Sequence, residues 1–314
     1  MANGPVALSF EQQLEHFKNR NMNISSRDVN KIENIGYYRL KEFARPLAKT
    51  SKINGQITVD YGGVSFSEVL TRYYQDKNLR LHFFHAIEKV EVSVKTKLSA
   101  ILGTNYGAFG YLNFSSWCDK HNFSKFQIEQ KQYYFKRSLK KSMEHSFSSD
   151  VRDKRNQDKD GFPSVWLAID VLTFGEMVNI VCLLSKKNKK KLSKFFNCTS
   201  KELESWLKCL NFVRNLCAHN STVIDLKLKT QPVYRKEWED KLYMMPDKSG
   251  GERPSNRLAV VFLILFHFVH TINEQYGWNN IQKSVKAICR DKEHNAELLG
   301  FADLKSAKSI CTKE

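Results

Sequence analysis

The chain has 314 residues, 41% of them hydrophobic and 12% aromatic, enough to bury the core of one large domain or two closely packed lobes, which excludes a disordered chain. Lysine and arginine outnumber aspartate and glutamate by 50 to 33, giving a net charge of +17, so the default partner is a polyanion: RNA, DNA or an acidic membrane surface. The seven cysteines, at 118, 182, 198, 209, 217, 289 and 311, form no C-x-x-C pair, the pattern of reduced thiols in a cytoplasmic protein, and the start MANGPVALSF lacks the basic onset and apolar run of a secretory signal.

Glycine and proline are scarce, at 14 and 6, and apolar residues recur at helical rather than alternating spacing, so an all-α protein is expected. In the block GYYRLKEFARPL, Tyr37, Tyr38 and Arg39 could meet RNA, although a packed tyrosine pair is the preferred reading. Residues 66–102 form one helical tract, with Val69, Tyr73, Leu79, Phe83, Ile87, Val90 and Val94 on its apolar side and a break expected near Asp76. Glu88, Glu91 and Lys95 stand three and four apart and share a face. Residues 125–141 mix cations with aromatics; Lys131, Lys136 and Arg137 are candidates for phosphate contacts and Tyr134 for stacking on a base.

Residues 140–161 are polar and nearly free of apolar side chains, which predicts a mobile loop or linker ending at Gly161-Phe162-Pro163. Pro163 then opens a helix expected over 164–184. Six lysines follow between 186 and 194; Lys186, Lys187, Lys189 and Lys190 offer charge to RNA, with a solvated helix face as the ordinary alternative. Thr199 and Glu202 have capping-box spacing, so a helix begins near Ser200, with Trp206, Leu210, Val213 and Cys217 as its core stripe. A polar stretch over 227–256 precedes the apolar run 258–269, well short of the roughly 20 residues that cross a membrane. It reads as a core helix or part of a subunit interface. The tail beyond it is polar and lysine-rich, suited to short helices and a frayed end.

One stretch stands apart: WLKCLNFVRNLCAHN, residues 206–220, which holds Arg214, Asn215 and His219 at the end of a predicted helix. It brings together a permanent cation, a carboxamide and a group titrating near neutral pH. The Arg-to-His spacing alone is weak, since Arg80 and His85 repeat it. Only the later pair has an asparagine four residues before the histidine, on the same helical face. Arg214 points about 140° around the helix from His219, so convergence needs an irregular helix end, a long reach or a second copy of the site. Without further context, the preferred reading of both is as surface and capping residues favoured by the helix dipole. His82 and His85, and His267 and His270, are three apart, but neither pair has a third ligand nearby in sequence, so no metal site is expected.

Read with its neighbours, the motif resembles the RNxxxH signature of the HEPN superfamily, and the chain resembles Abi-like proteins (abortive infection, AbiD/AbiF type). Four more blocks carry the resemblance in order: residues 36–47; residues 74–102 with Asp76, Leu79-Arg80 and Ile87-Glu88-Lys89-Val90-Glu91; YGAFGYL over 106–112; and PSVWLAIDVLTFG over 163–175. It covers roughly residues 10–235. The resemblance implies an HEPN-type helical bundle with additional N- and C-terminal helices: an Abi-like domain over 1–235, with a polar loop at about 140–161, and a C-terminal helical extension over 236–314 packed on it. It also implies a homodimer with the motif helices apposed, a cytoplasmic and toxin-like role in bacterial phage defence, and a structured small RNA as a candidate partner. Asn220 departs from the many relatives that carry a second histidine there.

RNA supplies its own nucleophile, the 2′-hydroxyl, so cleavage needs a base, an acid and a cation for the phosphorane. Histidine suits either proton-transfer role and arginine can hold two phosphate oxygens. The expectation is therefore an endoribonuclease in which His219 transfers a proton, Arg214 stabilises the phosphate and Asn215 positions one of them. No metal and no cofactor take part, and no membrane is a partner. Glu88 and Glu91 are candidates for supporting contacts, with surface ion pairs as the equal alternative. The rival function is a non-catalytic RNA-binding protein that holds a small non-coding RNA in the same cleft.

Overall fold

A computed structural model describes residues 6–53, 56–247 and 250–310. The chain divides into two compact units, residues 1–80 and 81–314, and both are built from helices with one short hairpin each. The all-α expectation holds.

In the first unit, Ser9 and Gln12 form a capping box that starts α1 (Phe10–Lys18). Helices α2 (Val29–Ile35) and α3 (Tyr37–Ala44) meet at Gly36, whose φ of 91° serves as the end of one and the start of the other. Phe17 anchors the core, with its ring 5.0 Å from Tyr37, 5.9 Å from Tyr61 and 6.0 Å from Phe66. Tyr37 is buried while Tyr38 lies edge-on to it and is 77% exposed, so the expected tyrosine pair is packed on one side only. Strands β1 (Lys49–Ile53) and β2 (Gln56–Asp60) pair antiparallel, Lys49 opposite Asp60. This hairpin was not expected, although Asn54-Gly55 between the strands is a strong two-residue turn signal.

Helix α4 (Phe66–Tyr106) runs 41 residues without interruption, so the break expected at Asp76 does not occur. Asp76 is fully buried and accepts a 2.8 Å hydrogen bond from Arg80 Nε one turn on. A buried carboxylate met by an arginine at i+4 keeps the helix intact where its charge alone suggested an end. Arg80 itself is buried, 5% exposed.

In the second unit, the remainder of α4 is followed by α5 (Phe114–Trp117), α6 (Lys125–Glu144), α7 (Ser149–Arg152), α8 (Val165–Asp170), α9 (Phe174–Leu183), α10 (Lys186–Lys194) and α11 (Ser200–Ala218). A hairpin of β3 (Met244–Pro246) and β4 (Glu252–Pro254) then leads to α12 (Ala259–Ile272), α13 (Asn279–Cys289), α14 (Glu293–Leu299) and α15 (Leu304–Ser309). Val260, Val261, Phe262, Ile264, Leu265 and Phe268 of α12 are all fully buried. Phe262 packs on Phe83 of α4 at 4.9 Å and Phe268 on Trp206 of α11 at 5.7 Å. The stripe Trp206, Leu210, Val213 and Cys217 is buried as its spacing predicts.

Two sequence expectations change here. The segment 140–161, expected as a loop, contains the last turn of α6, all of α7 and a further helical turn at Lys154–Asn156. Buried Val151, the Arg152 hydrogen bond to the Ser146 carbonyl at 2.8 Å and the Asp153 cap of the final turn hold it in place. The helix expected over 164–184 is two helices, because Thr173 and Glu176 form a capping box that restarts the chain at Phe174. The six described cysteines are free thiols, and Cys311 lies outside the described residues. Burial pushes Cys118, Cys198 and Cys209 up to about 12, so they are protonated at neutral pH. Among the described residues, no helix is long and apolar enough to cross a membrane.

Candidate functional site

The motif occupies the last turns of α11. Thr199 and Glu202 start this helix, each side chain accepting the other's backbone N–H, at 3.1 and 2.7 Å. The buried stripe fixes its rotation, so Arg214 is half-buried and Asn215 and His219 face solvent. The helix ends in a Schellman arrangement: Ser221 N–H donates to the Leu216 carbonyl at 2.8 Å, Asn220 N–H to that of Cys217 at 3.2 Å, and Asn220 adopts φ 56°. His219 is the C-cap, and its backbone N–H donates to the Asn215 carbonyl at 3.0 Å.

The Arg214 guanidinium lies 5.5 Å from the centre of the Phe84 ring of α4, a cation–π contact of roughly 0.5–1 kcal/mol at an exposed site. Among the described residues no carboxylate pairs with it. Its stem is held while its donors remain open to an anion. Nothing in the sequence near Arg214 pointed to Phe84, which lies 130 residues earlier in the chain.

The Asn215 amide makes no hydrogen bond to the His219 ring among the described residues. The two are joined through the backbone, not through the side-chain contact that could orient the imidazole. The helix stays regular to Ala218, so the separation of about 140° between Arg214 and His219 persists.

The sequence reading also missed Asn211, one turn before Arg214. A Cβ placed on Gly175 of α9 would lie 3.4 Å from the Asn211 Oδ1, so a residue without a side chain lets α9 and α11 approach at this point. The pattern Asn211-x-x-x-Asn215 was the available signal, because it puts two amides on one face.

Glu91 pairs with Lys95 at 2.9 Å, and Lys95 also donates to the carbonyls of Asp170 at 3.1 Å and Leu172 at 2.6 Å. This lysine ties α4 to the α8–α9 connection. Glu88 is exposed and its charge helps, behind burial, to raise the Tyr276 hydroxyl. Among the described residues neither glutamate bonds to Arg214 or His219.

The RNA-contact candidates separate into engaged and free groups. Lys131 sits 5.5 Å over the Phe123 ring, Tyr134 is 56% exposed, and both border a cleft of about 420 Å³ between α6 and α9. Lys136 lies instead over Phe162 at 5.6 Å, beside Lys140 at 5.1 Å. Arg137, Lys186, Lys187 and Lys190 are exposed. Lys189 is held by Glu204 at 2.7 Å and by the Cys182 carbonyl at 3.1 Å, which fastens α10 to α11. The two histidine pairs are also engaged: His85 shares a 3.0 Å hydrogen bond with Tyr276, and His267 donates to the Phe196 carbonyl at 2.8 Å.

Compared with known proteins, residues 30–225 match the family model described as Abi-like protein. No curated protein and no solved structure matches the chain.

Proposed function

This chain belongs to the Abi-like protein family, and we propose that it is a metal-independent endoribonuclease of the HEPN type, acting in the cytoplasm in bacterial defence against phage. The observation that carries the reading is Arg214: an arginine with no carboxylate partner among the described residues, steadied on Phe84 at 5.5 Å, five residues before an exposed histidine. In this reading the guanidinium holds the scissile phosphate and stabilises charge as the phosphorane forms. His219 takes the 2′-hydroxyl proton or supplies one to the leaving oxygen. Asn215, exposed one turn before His219, contacts the bound RNA.

A homodimer belongs to the proposal, because Arg214 and His219 diverge on one helix. Supporting it, α4 exposes Leu81, Phe84 and Val92, and α11 exposes Phe212, apolar surface that a second copy would cover. Two motif helices facing each other would let the arginine of one chain and the histidine of the other meet one phosphate. A structured small RNA held in that cleft would restrain the enzyme.

The test incubates purified wild type, Arg214→Ala and His219→Ala with total bacterial RNA in EDTA, with end-group identification and a parallel binding assay. Wild type is expected to give fragments ending in 2′,3′-cyclic phosphate or the derived 3′-phosphate. Each variant should lose about 100-fold or more of the rate while still binding RNA. Strict dependence on a divalent ion would refute the mechanism. Loss of affinity in proportion to loss of cleavage would support the non-catalytic RNA-binding protein instead.

A further inference from the structure

The cleft between α6 and α9 has no part in the chemistry above. Its floor is apolar, formed by Phe114, Phe135, Ile180 and Leu183, and its rim carries Lys131, Tyr134, Asn179 and Glu176. Its volume of about 420 Å³ falls within the 300–1,000 Å³ typical of small-ligand clefts, and an apolar floor with a few converging polar groups is their usual composition.

The polar groups have a definite hydrogen-bonding character. Glu176 Oε2 accepts from the Thr173 backbone N–H and hydroxyl, both at 2.8 Å, while Oε1 accepts from the Ser138 hydroxyl. Burial alone would raise this carboxyl, but the hydrogen bonds from Ser138 and Thr173 and the nearby Lys95 charge outweigh it and hold it below the usual range. It is therefore an ionised acceptor, with one lone pair of Oε1 unused. Asn179, one turn along α9, is exposed and has no side-chain partner among the described residues; its amide offers one donor edge and one acceptor edge. On the opposite wall Tyr134 presents its ring, and Lys131 and Arg137 stand one turn before and after it on α6, both exposed. An aromatic face flanked by cations, opposite a surplus of acceptors, matches the chemistry of one unstacked nucleotide.

We propose that this cleft is a base-reading pocket for single-stranded RNA, taking one nucleobase that carries an exocyclic amino group. Tyr134 stacks on the base, Lys131 and Arg137 hold the adjoining phosphates, and Glu176 Oε1 with the Asn179 amide receives the amino group. Adenine fits this arrangement, since an asparagine amide can both accept from its amino group and donate to a ring nitrogen. Uracil, with two carbonyl acceptors flanking one donor, places an acceptor against the carboxylate. The pocket joins the motif helix through one element: Glu176 follows Gly175, and Gly175 packs on Asn211 one turn before Arg214. The base chosen in the cleft would thus determine which phosphate reaches the arginine. The proposal rests on the RNA partner proposed above, but not on cleavage.

The test measures binding by fluorescence anisotropy in EDTA, using labelled nine-residue oligouridines whose central position is adenosine, purine riboside (which lacks the amino group) or uridine. Every strand carries 2′-O-methyl groups, which remove the attacking hydroxyl and prevent cleavage during titration while the protein keeps Arg214. The adenosine strand is expected to bind about tenfold tighter than the other two; Tyr134→Ala should weaken it about tenfold, Tyr134→Phe should restore it, and Asn179→Ala should abolish the preference. Equal affinity for all three strands, unchanged in Tyr134→Ala, overturns the pocket and leaves the RNA partner standing. Failure of every strand to bind overturns both. Asn179 and Tyr134 are exposed, and circular dichroism of each variant checks that the fold is intact.

Discussion

Asn220 shows how one residue sets the geometry of the candidate site. Its left-handed φ of 56° ends α11, and it fixes where His219 leaves the helix. Most residues pay roughly 1–2 kcal/mol in this conformation, whereas glycine adopts it freely and asparagine visits it routinely. Asn220→Gly is therefore expected to keep the turn that ends α11, and with it any RNA cleavage. Asn220→Val should lower stability by about 1–2 kcal/mol and reduce cleavage by displacing the histidine; thermal melts and rate measurements on both variants check this, and a fully active, equally stable valine variant would refute it. Much of the residue scale was legible in sequence, because the Thr199 capping box and the stripe from Trp206 to Cys217 depend on neighbours three to seven positions away. The contact of Arg214 with Phe84 and that of Asn211 with Gly175 were not, since each joins segments distant in the chain. Asp76 misled for the same reason: its burial and its pairing with Arg80 depend on the packing around the helix.

Element boundaries were decided by short polar signals and by single glycines. Thr173 and Glu176 divide what hydropathy presents as one helix, and their capping-box spacing was there to be read. Asn54-Gly55 likewise announced the first hairpin. The end of α14 depends on Gly300, whose φ is 95° and where an added Cβ would lie 2.6 Å from the Cβ of Arg257 and 3.0 Å from the Ser255 hydroxyl. The Arg257 Cβ is fixed to its backbone and cannot swing away, so Gly300→Ala is expected to destabilise the protein by about 2 kcal/mol or more, from combined backbone strain and overpacking. Chemical denaturation would measure it, and a change under about 0.5 kcal/mol, the ordinary size of a neutral surface substitution, would show that α14 ends by other means. Why α12 is buried on every side over its first two turns was only partly visible: its apolar run indicated a core helix, but not that α4 and α11 would supply its partners.

At the scale of the molecule, the positive charge divides into cations that hold helices together and cations that face solvent. Lys95, Lys189 and Arg235 belong to the first group. Arg235 donates to Glu202 at 2.9 Å and to the Asn197 carbonyl at 2.6 Å, and its Nη1 lies 3.4 Å from His267 Nδ1. His267 donates from Nε2 to the Phe196 carbonyl, so Nδ1 must stay unprotonated to face the guanidinium. Burial, reinforced by Arg235, lowers the His267 pKa from its ordinary value of 6.5. The unfolded chain therefore takes up this proton first as the pH falls, so the stability contribution is complete above about pH 6.5 and declines below it. Burial alone would raise Glu202, but its bonds to Arg235 and Thr199 keep it below the usual carboxylate range, outside that window. Melting temperature should fall between pH 7 and pH 5, and His267→Gln should flatten the fall; an equally steep fall in the variant would assign the effect elsewhere. The continuity of α4 has a practical consequence of another kind. Its residues 66–80 belong to the first unit and 81–106 to the second, so the border lies inside hydrogen-bonded helix where a protease finds no extended backbone to grip. Fragments divided there would each carry a severed helix end, with four unsatisfied backbone groups. Cutting there breaks backbone hydrogen bonds of α4, so the intact chain is the sounder starting point for dissecting what each half contributes.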